Sequence, residues 1–134
     1  MPDLKRLIDT AKKAMEKAYA PYSNFQVGAA ILDNNGQLHA GCNVENSAYP
    51  IGCCAEQAAV TAMILGGGQA IQDIVVIAKK HNPCPPCGAC RQVIAEHSDH
   101  NTKIHLLTQG DGLTTFQVSE LLPQAFSPDH LDSC

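Results

Sequence analysis

Two segments of the chain have residue types and spacing that could do chemistry: Cys54-Ala55-Glu56 and Pro86-Cys87-Gly88-Ala89-Cys90. Cys87 and Cys90 are three apart, so on one helical turn their sulfurs face the same way and can grip one ion. Cys54 and Glu56 are two apart, about 200° around a helix that turns ~100° per residue. They cannot share a pocket on a helix flank, but they can at a helix end, where first-turn residues surround the axis. Both segments are therefore expected at helix N-termini. Such an end carries roughly half a positive charge and free N–H groups, which stabilise the thiolates that zinc binds. Three protein ligands leave the fourth position of the metal open to water, whose pKa falls from about 15.7 towards ~7. A carboxylate two residues from a ligand is placed to take that proton and pass it on. The expected chemistry is metal-assisted hydrolysis, with Cys54, Cys87 and Cys90 as ligands and Glu56 as the acid–base group.

The elements that must position these residues can be read from the pattern. Leu4, Leu7, Ile8, Ala11, Met15 and Ala18 recur at helical spacing with lysines between them. They predict an amphipathic helix over about 3–19, with Asp3 as N-cap and Pro21 as its end. Residues 27–33 and 37–43 read as strands joined by the turn Asn34-Asn35-Gly36, a hairpin signal. Residues 54–65 read as an Ala-rich buried helix stopped by Gly66-Gly67-Gly68. A Val/Ile-rich strand at 73–79 lacks alternation, as expected when both faces are covered. A three-proline loop follows, then a helix at 88–97, strands at 103–108 and 114–118, and a short helix at 118–122. The order predicts one domain over 1–134, of α/β class, with a mixed five-stranded sheet between helices in three layers, α/β/α.

Composition narrows the function. The 134 residues are 45% hydrophobic, enough for a core, and the formal charge is −4. The basic residues form no stripe of the kind that tracks a polynucleotide, so a small uncharged substrate is expected and nucleic acid is not. The charged start of the chain and the short apolar runs predict no secretory signal, no membrane partner and a cytoplasmic location. Seven cysteines in such a chain point to metal or redox chemistry rather than a disulfide framework.

Four of the seven need other roles. Cys84 also forms a CxxC with Cys87, so a redox pair or a four-cysteine structural zinc is open, although neither explains Cys54-Ala55-Glu56. Cys84 is otherwise a loop residue, Cys53 a packing residue, Cys42 a strand residue and Cys134 a terminal thiol. A three-cysteine zinc site needs none of the six histidines. A non-catalytic zinc module also remains open, and it has no need of Glu56.

The three-cysteine set, the non-ligand Glu and the Pro-Cys-x-x-Cys run resemble the zinc deaminases. Over nearly its full length the chain is similar to the small, homotetrameric cytidine deaminases of pyrimidine salvage. The matching stretches are residues 20–30, 41–46, 54–56, 86–92 and 120–123. The resemblance implies one Zn²⁺ per subunit and hydrolysis of free cytidine and deoxycytidine to uridine and deoxyuridine with release of ammonia. It implies that Asn43 and Glu45 hold the ribose hydroxyls, that Phe25 packs on the nucleoside, and that the Ala55 N–H donates to the 2-oxo group. It also implies that the Pro85 carbonyl accepts from the leaving amine, and that Tyr49 and Phe126 complete a neighbouring subunit's site. A modified nucleoside, a cytosine-bearing antibiotic or a base within nucleic acid is the competing substrate. Gln57 stands where the family often carries an Arg that bonds the thiolates, which leaves more charge compensation to the helix ends.

Overall fold

The computed structural model describes residues 4–110 and 112–132; the expected cap Asp3 and the thiol of Cys134 lie outside them. Helix α1 (Leu4–Glu16) is followed by strands β1 (Val27–Asp33) and β2 (Leu38–Cys42). Then come α2 (Ala55–Leu65), β3 (Ile71–Ala78), α3 (Gly88–Glu96), β4 (Lys103–Leu107), β5 (Leu113–Phe116), α4 (Val118–Leu121) and α5 (Pro128–Asp132). The five strands form one mixed sheet in the order β2-β1-β3-β4-β5. Only the β3–β4 pair is parallel among the described strands.

The two faces of the sheet bury different side chains, as strand alternation requires. On one face Leu7, Ala11 and Met15 of α1 pack against Ala30, Val75, Ile77 and Leu107. On the other, Ala55, Ala59, Val60 and Met63 of α2 and Ile94 of α3 pack against Ala29, Ile31, Ile74, Val76, Ile104 and Leu106. The expected three-layer α/β/α arrangement is the one observed. Strand β3 is covered on both faces, which explains its unbroken apolar run.

Small residues let the helices approach the sheet. Gly41, Ala29 and Val76 lie opposite one another across β2, β1 and β3. A Cβ on Gly41 would sit 2.3 Å from the Ala59 nitrogen and 2.5 Å from the Ala55 carbonyl oxygen. On the opposite face a Cβ on Gly28 would sit 2.1 Å from the Ala11 carbonyl oxygen. Backbone therefore packs on backbone where α1 and α2 cross the hairpin, and the first turn of α2 is fixed in height above β2.

Most element ends fall within two residues of expectation, and the larger differences have physical causes. Helix α1 ends at Glu16 rather than near residue 19, so Pro21 is not what stops it. The Tyr19 N–H donates to the Asn43 carbonyl at 3.0 Å, and the Glu45 N–H donates to the Tyr19 carbonyl at 2.8 Å. This pairing with the end of β2 pulls the chain out of the helix. Strand β3 begins two residues earlier than the apolar pattern implied, because Ile71 pairs with Asp33 beyond a bulge. Helix α5 was not expected; its five residues carry no apolar periodicity to reveal it.

Buried polar groups are paired. His105 Nε2 lies 2.7 Å from Asp73 Oδ1 and its Nδ1 lies 2.8 Å from Thr115 Oγ1, linking β3, β4 and β5. His39 Nε2 lies 2.6 Å from Asp33 Oδ2 across the β1–β2 hairpin. These two histidines serve the sheet.

Candidate active site

Cys54 and Cys87 are the N-caps of α2 and α3, and Cys90 lies in the first turn of α3. Both caps have extended backbones, with φ −79° and ψ 155° at Cys54 and φ −66° and ψ 170° at Cys87. Both sulfurs face the helix ends, and that of Cys87 is approached by the N–H groups of Ala89 and Cys90. The three sulfurs lie within 4.8 Å of one another, the one such group among the described residues. Ligands at about 2.3 Å around a tetrahedral zinc have sulfurs roughly 3.8 Å apart, so the cluster fits that ion.

The thiols themselves point to a cation. Burial pushes Cys90 far up, with the neighbouring Glu56 and the other two thiols adding to it. Burial raises Cys54 as well. Partial burial also acts against Cys87, but the N–H of Cys90, the other two thiols and the N–H of Ala89 outweigh it and hold Cys87 below its ordinary value. Three thiolates packed this closely need a positive charge between them. Cys84 is not in the cluster, so the described residues offer no four-cysteine metal site. Cys53 bonds the Cys54 carbonyl at 3.4 Å and packs beside the site.

Glu56 is 5% exposed, buried in the first turn of α2. Burial raises its carboxyl above the ordinary value, against the opposing pull of its own N–H and the Cys90 thiol. A carboxyl raised by burial moves towards the pKa range where general acid–base catalysis works best.

The thiols and Glu56 open into a cleft of about 400 Å³. Its other walls include Phe25, Asn43, Glu45, Ala55 and Pro85, each expected at the site from the sequence. The Asn43 amide is held by backbone: Oδ1 accepts from the Val27 N–H at 2.8 Å and Nδ2 donates to the Phe25 carbonyl at 2.8 Å. Glu45 Oε1 accepts from the N–H of Tyr22 at 3.0 Å and of Ser23 at 3.1 Å, and Oε2 accepts from the Ser23 hydroxyl. That hydroxyl, opposing a smaller burial effect, is the main cause that holds the Glu45 carboxyl below its ordinary value. Ser23, Val27 and Cys84 also line the cleft and were not expected there. For Ser23 the usable signal was its place inside the run 20–30.

Tyr49 and Phe126 are not brought to this cleft. Tyr49 is 73% exposed in a 3₁₀ turn, edge-on to Tyr22 with ring centroids 5.7 Å apart. Phe126 is 57% exposed and stacks on His130 with centroids 5.2 Å apart. Gln57 is half-buried on α2 and does not line the cleft. Arg91 donates through Nε to the Pro86 carbonyl and through Nη1 to the Leu121 carbonyl, both at 2.8 Å.

An α/β/α sandwich with three thiols at two helix N-termini and a buried glutamate beside them defines the zinc-dependent deaminase class. The chain belongs to the cytidine and deoxycytidylate deaminase family: its zinc-binding-region model matches residues 1–106. Among its relatives, the cytidine deaminase of Sporosarcina psychrophila is 43% identical over 96% of this chain and 95% of its own. That of Halalkalibacterium halodurans is 42% identical over 97% and 98%. The crystal structure of cytidine deaminase from Burkholderia pseudomallei has a TM-score of 0.83 at 44% identity, covering 91% of this chain and 98% of that one.

Proposed function

We propose that this chain is a zinc-dependent cytidine deaminase, acting on free cytidine and deoxycytidine. The observation that carries this is the buried Glu56 beside the Cys54, Cys87 and Cys90 cluster, in a cleft whose far wall holds Asn43 and Glu45. Cys54, Cys87 and Cys90 would hold the zinc, which when bound would supply a Lewis acid able to make a water acidic near neutral pH. Glu56 is placed to take a proton from the attacking water and deliver it to N3 of the cytosine ring, which makes C4 electrophilic. The water oxygen adds to C4. Glu56 then carries the remaining proton from that oxygen to the exocyclic amine, C4–N breaks, and ammonia leaves.

The other cleft residues bind and orient. The Ala55 N–H is an orphan donor of the first helical turn and meets the 2-oxo group. The Pro85 carbonyl accepts from the leaving amine. Phe25 packs on the nucleoside, and Asn43 and Glu45 take the ribose hydroxyls. A free nucleoside matches a cleft of about 400 Å³ on a chain of net charge −4.

The chain acts as one domain over 1–134 and assembles as a homotetramer, with Tyr49 and Phe126 completing a neighbour's cleft. The exposed side chains of Tyr49, Ile51 and Phe126 support such an assembly. No described helix is long and apolar enough to cross a membrane. Free thiols at the six described cysteines support a reducing, cytoplasmic setting. The test is turnover of a panel of cytosine compounds with zinc measured on the same sample, alongside light scattering. Zinc-loaded protein that leaves cytidine and deoxycytidine unchanged refutes the activity, and a monomer removes Tyr49 and Phe126 from the site.

A further inference from the structure

Four residues of the cleft wall are joined in one hydrogen-bonded path. Ser23 Oγ donates to Glu45 Oε2 and accepts from the Phe25 N–H at 3.0 Å. The Phe25 carbonyl accepts from Asn43 Nδ2 at 2.8 Å. Both backbone groups of Phe25 are thus tied to side chains of the same wall, and Ser23 is the link between its N–H and Glu45. The intervening Asn24 has φ 55°, in the left-handed region that most residues avoid, so the segment needs such ties to hold its shape. A serine hydroxyl has one proton, and here it is committed to the carboxylate.

The carboxylate has about four acceptor positions. Oε1 fills two with the N–H groups of Tyr22 and Ser23, and Oε2 fills one with the Ser23 hydroxyl. One position on Oε2 is left for a hydroxyl donor. Which way it faces depends on the plane of the carboxylate, and the Ser23 hydroxyl is the side-chain contact that sets that plane.

We infer that Ser23 is a positioning residue for nucleoside binding: it aims the remaining acceptor of Glu45 at a ribose hydroxyl and fixes the Phe25 ring beside it. This rests on the proposed action on cytidine. Ser23 is exposed on the cleft rim, so its truncation opens no buried cavity.

The test is Ser23→Ala and Ser23→Thr in the zinc-loaded protein, with zinc content and melting temperature measured on each. Steady-state kinetics on cytidine are combined with calorimetric binding of uridine, 2′-deoxyuridine and 3′-deoxyuridine. Ser23→Ala should raise KM for cytidine and weaken uridine about tenfold, with kcat changed less than twofold. The penalty should shrink for the deoxy ligand that lacks the hydroxyl Glu45 accepts from, and Ser23→Thr should restore the unmodified values. An equal penalty on all three ligands, or none, overturns the assignment while leaving the deaminase reading intact. Unmodified protein that does not turn over cytidine overturns both.

Discussion

Arg91 donates through Nη1 to the carbonyl oxygen of Leu121 at 2.8 Å, which ties the helix that begins at Cys87 to α4. Its Nε–H holds the Pro86 carbonyl, one residue before that ligand, at 2.8 Å. The side chain therefore braces the turn that presents Cys87 and Cys90. Arg91→Ala should leave the fold intact and weaken zinc retention about tenfold, as loss of supporting contacts around a metal ligand does. Zinc loss to a competing chelator measures this, and a retention curve equal to that of the unmodified protein would count against the brace.

Glu56 is the group assigned to move protons, so Glu56→Gln keeps its shape and removes its function. kcat should fall by a factor of ~10²–10⁴, the usual contribution of a general acid–base group. Zinc content should stay at one per chain, because the three thiols remain. A non-catalytic zinc site would lose nothing by this change, so unaltered turnover decides against the mechanism.

Gly41 fixes the height of α2 above β2, and α2 carries both Cys54 and Glu56. Gly41→Ala places a methyl within 2.3–2.5 Å of backbone atoms of that helix. Overpacking against backbone should cost about 3 kcal/mol. Urea denaturation should show the loss, and kcat should fall with it because the first turn of α2 is displaced. Full stability would mean that the helix can move outward without cost.

Asp33 should contribute to the acid limit of the protein's stability. Burial alone would raise its carboxyl, but the His39 ring and the N–H groups of Gln37 and Asn35 hold it below the ordinary 3.8. The folded value lies below the unfolded one, so the contribution to stability is complete above about pH 4 and is lost as pH falls through the folded value. Melting temperature should drop more steeply between about pH 4 and pH 2 in the unmodified protein than in Asp33→Asn. Parallel curves would show that other carboxylates set the acid limit.

The hairpin, the buried α2 and the covered β3 were legible because apolar periodicity and Asn-Gly turn chemistry are local signals. The end of α1 was not, because it is set by Tyr19 pairing with Asn43 and Glu45, more than twenty positions away. Helix α5 escaped because five residues carry no period to read.

At the site the division is similar. Spacing together with the Pro-Cys-x-x-Cys pattern selected Cys54, Cys87, Cys90 and Glu56, since metal ligation and helix geometry constrain neighbours in sequence. Ser23, Cys84 and the bracing role of Arg91 depended on which segments fold over one another. The sequence by itself determined which side chains can bind zinc and move protons, because those are properties of residue type and local spacing. The tertiary structure decided which residues surround them, how deeply Glu56 is buried and which way Glu45 and Arg91 point, because burial and long-range hydrogen bonds exist only once distant segments meet.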